Sequence, residues 1–413
     1  MKISLLIERE DFFSIYASTL STGLSQIYGR EYSVICHKQS FFDRFFGHSD
    51  DLWLCNPSLN AIYLQSARSE TFQILFDWYG KNRSPIISIL QRFYIYIATR
   101  KYFRNFFSTY AIRITPTIEN SNMVLMIGGN SCIRMFDFSK NVVTTLLKDG
   151  FCERYVQLDV ENRNLNNWLP TAALINTFTN NSGYVEPIIK ADTFLYYSDY
   201  KLKHKYFQKA IDLCEKLSKN TEEQVNLHAY ILDLFVEIDS YIVAISLIDS
   251  KFSKKINNWI DLFKNTMASF IKSESTLCIG QSHGDLTPGN LLVKSDKVII
   301  IDWERTRKRI IGFDQLTLIL RSRQDKCNFL RRLIDYFDNK NSNLESAFTH
   351  TDLSNIVKNS PTQSENIKIY ILIYTLEELV YYLEENACGP INVVTDGLRQ
   401  YFFEIQTIED ILY

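Results

Sequence analysis

Asp285, Asn290 and Asp302 are the residues of this 413-residue chain whose types and spacing point to chemistry. They sit in Ser282-His283-Gly284-Asp285-Leu286-Thr287-Pro288-Gly289-Asn290-Leu291-Leu292-Val293 and in Val298-Ile299-Ile300-Ile301-Asp302-Trp303-Glu304. Moving a γ-phosphoryl group requires an acceptor for the proton of the incoming hydroxyl. It also requires oxygen ligands for magnesium, which neutralises phosphate charge. Asp285 suits the first task. Asn290 brings a neutral oxygen and Asp302 an anionic one, a mixed set that holds a hard cation and leaves room for phosphate and water. The apolar runs Leu291 to Val293 and Val298 to Ile301, joined by Lys294-Ser295-Asp296-Lys297, predict a hairpin with a ligand at each end.

His283-Gly284-Asp285-Leu286, Asn290-Leu291-Leu292-Val293 and Ile301-Asp302-Trp303-Glu304 resemble the catalytic and metal-binding loops of the aminoglycoside phosphotransferase and choline kinase superfamily. Glu304, and then Gly312-Phe313-Asp314, carry the resemblance toward the choline and ethanolamine kinase branch, where a structural Asp follows the metal Asp. The strong match spans Ser282 to about Leu320. It implies Asp285 as catalytic base, His283 as a support of the catalytic loop, and Asn290 and Asp302 as magnesium ligands. It further implies ATP and Mg as cofactors and a small-molecule hydroxyl as acceptor. Protein kinases fit less well, because Trp303-Glu304 follows Asp302 where they carry Phe-Gly, and no Ala-Pro-Glu segment follows.

A kinase must also position a nucleotide, with a loop over the phosphates, a lysine on a strand and an acid on a helix. Apolar runs at Met123 to Ile127, Cys132 to Phe138 and Val142 to Leu147 predict three strands, the first two joined by Gly128-Gly129-Asn130-Ser131. Glycines in such a loop let backbone N–H groups approach an anion. Gly128, Gly129 and Ser131 are therefore candidate phosphate contacts, and Lys148 at the end of the third strand would reach the same phosphates. Glu161 is the candidate acid that orients Lys148, with Asp159 and Glu153 as rivals. Tyr184-Val185-Glu186-Pro187-Ile188-Ile189 resembles the hinge that meets adenine, which makes Glu186 a candidate cofactor contact.

These parts occur in the order of an α+β, bilobal, protein-kinase-like fold. The expected division is an N-terminal α/β extension of unknown role over 1–115, a small β-rich nucleotide-binding lobe over 116–190 and a helical lobe over 191–413, with the first junction near Thr115-Pro116. After Pro187 no proline occurs until Pro288. The intervening periodicity predicts helices over Asp199 to Lys219, Glu222 to Ile248 and Ile256 to Lys272, the second opened by a capping box at Thr221. Further helices are expected over Phe313 to Arg332, Glu365 to Glu385 and Asp396 to Leu412, and a strand over Met1 to Arg9. Ile86 to Phe107 reads as a basic aromatic helix. Membrane-surface contact by it is the less favoured reading, against packing its aromatics inward and turning its arginines out.

A hydrophobic content of 46% supports a large core, and a net charge of −2 gives no pull toward nucleic acid. Eight scattered cysteines without a Cys-x-x-Cys pair read as thiols of a reducing, cytoplasmic compartment. Neither a signal peptide nor a membrane span is expected. Arg305, Arg307, Lys308 and Arg309 crowd four cations after Asp302, either to hold an acidic acceptor or as a solvated loop paired with Asp314 or Asp325. Two other readings remain. A metal-dependent glycosyltransferase would use Asp302 and Glu304 on a sugar nucleotide, and a pseudokinase scaffold would use residues 1–115 for binding.

Overall fold

A computed structural model describes residues 3–40, 51–80, 85–193, 200–270, 275–320, 357–358 and 363–406. The chain forms two compact units, one of residues 1–198 with 292–304 and one of 199–291 with 305–413. The architecture is α+β, as expected.

Unit 1 is built on a nine-stranded sheet of order β1-β4-β2-β3-β5-β6-β7-β9-β8. Its strands are β1 (Ser33–Lys38), β2 (Leu52–Asn56), β3 (Ala61–Leu64), β4 (Tyr110–Thr115), β5 (Val124–Gly128), β6 (Cys132–Asp137), β7 (Val142–Leu147), β8 (Asn176–Thr177) and β9 (Gly183–Pro187). The expected junction at Thr115-Pro116 falls inside this sheet, because β3 pairs with β5 through Ile62 and Met126. Helix Phe12–Tyr28 lays Phe12, Tyr16, Leu20 and Leu24 against the strands at helical spacing, in one core with Trp53, Tyr63 and Met126. Each such side chain stabilises the unit by roughly 1.5–3 kcal/mol.

The described part of Met1 to Arg9 is not the expected strand. Ile3–Arg9 is a helix, and Ile3 and Leu6, three residues apart, bury one face of it. The Asn60 side chain ties it down, accepting from the Ile3 amide at 3.0 Å and donating to the Gly128 carbonyl at 3.1 Å. The β6–β7 turn closes on Asp137, whose Oδ1 accepts from the amides of Ser139 at 2.9 Å and Lys140 at 3.1 Å. A second sheet of this unit orders β10 (Asp192–Thr193), β13 (Leu291–Lys294) and β14 (Lys297–Ile300). Ser295 and Asp296 both take positive φ, 48° and 66°, the backbone of a two-residue hairpin turn that suits strand twist.

Unit 2 holds β11 (Glu223–Asn226), β12 (Thr276–Ser282), β15 (Arg307–Ile310) and β16 (Val357–Lys358) beside long helices. Helix Leu227–Ile248 buries Leu227, Ile231, Leu234, Ile238, Ile242 and Ile245 in one core with Leu372, Leu376 and Leu379 of helix Gln363–Ala387. It begins later than the sequence suggests. Asn226 is its cap, with Oδ1 accepting from the Ala229 amide at 3.0 Å, while Thr221 receives the Gln281 amide at 2.7 Å and Glu223–Asn226 pairs with β12. Tyr200–Asn220 and Ser250–Phe270 are helical, as are Phe313–Leu320 and Asp396–Ile405. The expected continuations to Arg332 and Leu412 lie outside the described residues. No helix among those described is long and apolar enough to cross a membrane.

Candidate active site

In unit 2, β12 delivers a turn whose conformation is over-determined. Gly284 takes φ +80°, and a Cβ there would lie 2.2 Å from the Arg305 carbonyl oxygen and 2.4 Å from Arg309 Nη1, so only glycine fits. Asp314, at the start of helix Phe313–Leu320, accepts from the His283 amide at 2.6 Å and from the Gly284 amide at 2.9 Å. His283 is fully buried, and its Nδ1 accepts from the Asp285 amide at 3.2 Å. That contact braces the backbone at Asp285. Asp285 follows, half-buried, on a turn anchored by the buried Leu286.

Asn290 folds back on that turn. Its Nδ2 donates to the Asp285 carbonyl at 2.8 Å and to Asp285 Oδ2 at 3.2 Å. The amide nitrogen being so engaged, Oδ1 is the atom that would meet a cation. The five-residue spacing of Asp and Asn therefore produces one side-chain constellation, closed by the turn Pro288–Asn290.

In unit 1, β14 leads to Asp302, a non-glycine residue held at φ +66°. Backbone in this region is found where surrounding structure enforces it, often at functional positions. Trp303, fully buried, pins the turn by donating Nε1 to the Ile300 carbonyl at 3.1 Å. The Asp302 carboxylate pairs with the guanidinium of Arg134 on β6, which Asp302 holds well above the ordinary arginine range despite burial. Glu304 accepts from the Ser131 hydroxyl at 2.7 Å. Two acids and the Gly128–Ser131 loop thus share one cluster. Burial pushes the adjacent Cys132 thiol up to about 12, so it stays protonated.

The other candidates are placed differently. Gly128 is covered by helix Ile3–Arg9, since a Cβ on it would meet Leu6 at 2.9 Å, and Gly129 is required because its Cβ would meet the Cys132 carbonyl at 2.7 Å. Packing accounts for both glycines. Lys148 does not pair with Glu161. Its Nζ, with the side chain 1% exposed, donates to Glu10 and to the Asn130 carbonyl, the latter at 2.9 Å. Glu161 instead accepts from Gln157 at 2.8 Å on an exposed helix face. The rival Asp159 and the hinge candidate Glu186 are both bound by Arg163, with Nε to Asp159 Oδ1 at 2.6 Å and Nη1 to Glu186, while Tyr184 donates to Asp159 at 2.7 Å. The rival Glu153 is exposed.

The basic run after Asp302 is likewise consumed, and by partners other than Asp314, while Asp325 lies outside the described residues. Arg305 pairs with Glu384 at 2.9 Å, Arg307 with Glu237 at 2.7 Å and Lys308 with Glu223, while Arg309 donates to Ser282 Oγ at 2.7 Å. Arg134, Glu10 and Arg163 escaped the sequence reading. Arg134 left a signal, an arginine amid Cys132, Ile133, Met135 and Phe136 in a buried strand, where a charge needs a reason. Glu10 left none, because its partner is 138 residues away.

Among the described residues, no three His, Cys, Asp or Glu side chains gather into a metal-binding group. Magnesium held largely through phosphates and water takes only one or two protein oxygens, so the carboxylate of Asp302 and the amide of Asn290 are donors of a fitting kind.

No protein-family profile matches the chain, and a search among curated proteins finds no match. Among solved structures it is similar to a choline kinase from Streptococcus pneumoniae, at 14% identity and TM-score 0.42, covering 71% of this chain and 92% of that one. It is also similar to an ethanolamine kinase of Plasmodium vivax, at 15% identity and TM-score 0.41, covering 82% and 93%. A third similarity is to a thermostable mutant of an aminoglycoside phosphotransferase, at 11% identity and TM-score 0.43, covering 72% and 94%.

Proposed function

We propose that the protein is an ATP- and magnesium-dependent phosphotransferase of protein-kinase-like fold that phosphorylates a hydroxyl of a small molecule in the cytoplasm. The observation that carries this reading is the Asp285 turn, where His283, Asp314 and Asn290 together hold a single half-buried carboxylate in a fixed pose. A preset carboxylate of that kind suits a group that must receive a proton as an alcohol attacks. Asp285 accepts the hydroxyl proton, and the oxygen attacks the γ-phosphorus in line with the leaving ADP oxygen. Asn290 and Asp302 would each offer an oxygen to magnesium, which would neutralise charge on the phosphates. Arg134, the cation already facing Asp302, takes the phosphate-steadying role expected of Lys148. Ser131 and Glu304 brace that side of the site.

The test is turnover. Purified protein is incubated with ATP and magnesium and a panel of choline, ethanolamine, sugars and aminoglycosides, with ADP release and phosphorylated product both followed. Product from at least one alcohol, absent with Asp285→Asn, is the expected result. Product formation that survives Asp285→Asn unchanged overturns the assignment of the base.

A further inference from the structure

Helix Pro85–Ala98 is apolar on two faces, and the fold uses one of them. Ile95 and Ala98 are buried, and Tyr94 packs edge-on against Phe107 at 5.4 Å. The opposite face presents Ile86, Ile89, Leu90 and Phe93, spaced i, i+3, i+4 and i+7 and each 61% exposed or more. Tyr102 and Phe103, 87% and 51% exposed, extend the apolar surface through the following turn. The expectation that these aromatics pack inward is therefore corrected. The helix carries more apolar residues than one core-facing stripe can hold.

The turn is also held firmly. Arg104, 5% exposed, donates to the carbonyls of Thr99 at 2.7 Å, Gln65 at 2.7 Å and Ala67 at 2.8 Å, and lies over the Phe72 ring at 4.6 Å. Its aromatic neighbours are thus displayed on a fixed platform. Charge along this helix and turn has one sign. Arg92, Arg100 and Lys101 are exposed, Arg100 lies 4.0 Å over the Tyr96 ring, and no Asp or Glu occurs between Asp77 and Glu119.

We propose that this face docks on an anionic lipid surface, with the isoleucines and aromatics entering the headgroup boundary and the three cations meeting lipid phosphates and carboxylates. A second copy of the chain is the poorer occupant, because a two-fold contact would oppose Arg92, Arg100 and Lys101 with their own counterparts. The proposal is independent of the acceptor and of the assigned catalytic roles.

Cosedimentation of the full chain with two kinds of vesicle tests it: phosphatidylcholine alone, and phosphatidylcholine with phosphatidylserine in equal parts. Two paired variants accompany the parent, Phe93→Ser with Tyr102→Ser and Arg92→Gln with Lys101→Gln, each checked for an unchanged melting midpoint. The parent should pellet with the anionic vesicles and not with the neutral ones. The apolar pair should weaken that binding about tenfold or more. The charge pair should weaken it about fivefold per cation removed and flatten its dependence on salt. Parent binding that ignores lipid charge or survives both pairs refutes the proposal. So does light scattering that finds a dimer which Phe93→Ser with Tyr102→Ser converts to monomer.

Discussion

Replacing Glu10 by glutamine removes the carboxylate that two buried cations share. Arg9 donates to Glu10 Oε2 at 2.7 Å and Lys148 to Oε1, and the three side chains are 4%, 1% and 0% exposed for Arg9, Lys148 and Glu10. Both cations also bind the Asn130 carbonyl, at 2.8 and 2.9 Å. The arrangement is one anion between two cations, so the two single deletions are not equivalent. Glu10→Gln leaves both cations without a counterion and turns an amide donor toward one of them, a loss of about 3–5 kcal/mol. Lys148→Met leaves the Arg9–Glu10 pair balanced and costs at most about 2 kcal/mol. With about 2–4 °C per kcal/mol for a domain of this size, the melting midpoint should fall by roughly 6–20 °C in the first case and by under about 8 °C in the second. Burial pushes Lys148 down to about 8, against the pull of Glu10, from an ordinary value of 10.5. The folded form therefore releases this proton before the unfolded form does. The stabilising effect of that shift is fully present above pH 10.5 and lost as pH falls through 8, so the parent gains stability relative to Lys148→Met by about 3 kcal/mol across that window. Urea unfolding followed by tryptophan fluorescence between pH 7 and 10.5 reads both quantities. If Lys148→Met proves as damaging as Glu10→Gln, the shared-carboxylate account is wrong.

Asp285→Asn should lower kcat by about 10²–10⁴ while ADP affinity, measured by calorimetry, stays near that of the parent. Arg134→Gln should raise KM for ATP about tenfold or more through lost charge-assisted contact, whereas Lys148→Met in a stably folded protein should leave it within a few-fold; the reverse ranking returns the phosphate role to Lys148. Glu377, buried where its Oε1 accepts from Tyr230 and from the Ile310 amide at 3.0 Å, is pushed up to about 7 from 4.5, chiefly by burial. Its protonated form contributes stability below pH 4.5 that is lost as pH rises through 7, so the parent should lose about 3 kcal/mol relative to Glu377→Gln over that range, and parallel urea curves would contradict it.

The geometry of the Ser282–Asn290 turn was legible because it is local. Asp285, Asn290 and the hairpin after them lie within a few residues, and turn chemistry at that range follows from residue type. The three strands from Val124 to Leu147 were legible for the same reason, as compact apolar runs between polar turns. Partners across long separations were not. The sequence points Lys148 toward an acid of the following helix, Glu161 or its rival Asp159, whereas Glu10 reaches it through a helix that packs over Gly128. Met1 to Arg9 misled because a run of nine residues has too few periods to separate helix from strand. The Glu223–Asn226 strand was hidden by residues that also suit a helix start, until pairing with β12 decided the matter.

The basic run from Arg305 to Arg309 illustrates how burial inverts a reading of charge. Four cations following Asp302 in the sequence suggest a surface that attracts anions, yet a strand alternates its faces, and β15 places Arg307 and Arg309 on one side and Lys308 on the other. Lys308, the ammonium, is the one left at 44% exposure, opposite Glu223. The guanidinia go inward, as weakly hydrated planar forks can. Arg309 fills the space beneath Gly284 that a Cβ would otherwise claim, and binds Ser282 on the strand that leads into the Gly284–Asp285 turn. Arg307 and Arg305 fasten the same segment to Glu237 and Glu384 on two different helices. Their charge is answered within the protein, so it does not select an acidic acceptor. What it does is fix the pose of Gly284 and hence of Asp285. Neutral and cationic alcohols therefore belong in the acceptor panel on equal terms with phosphorylated ones. Substituting Arg309 should change kcat through the turn rather than KM through the acceptor.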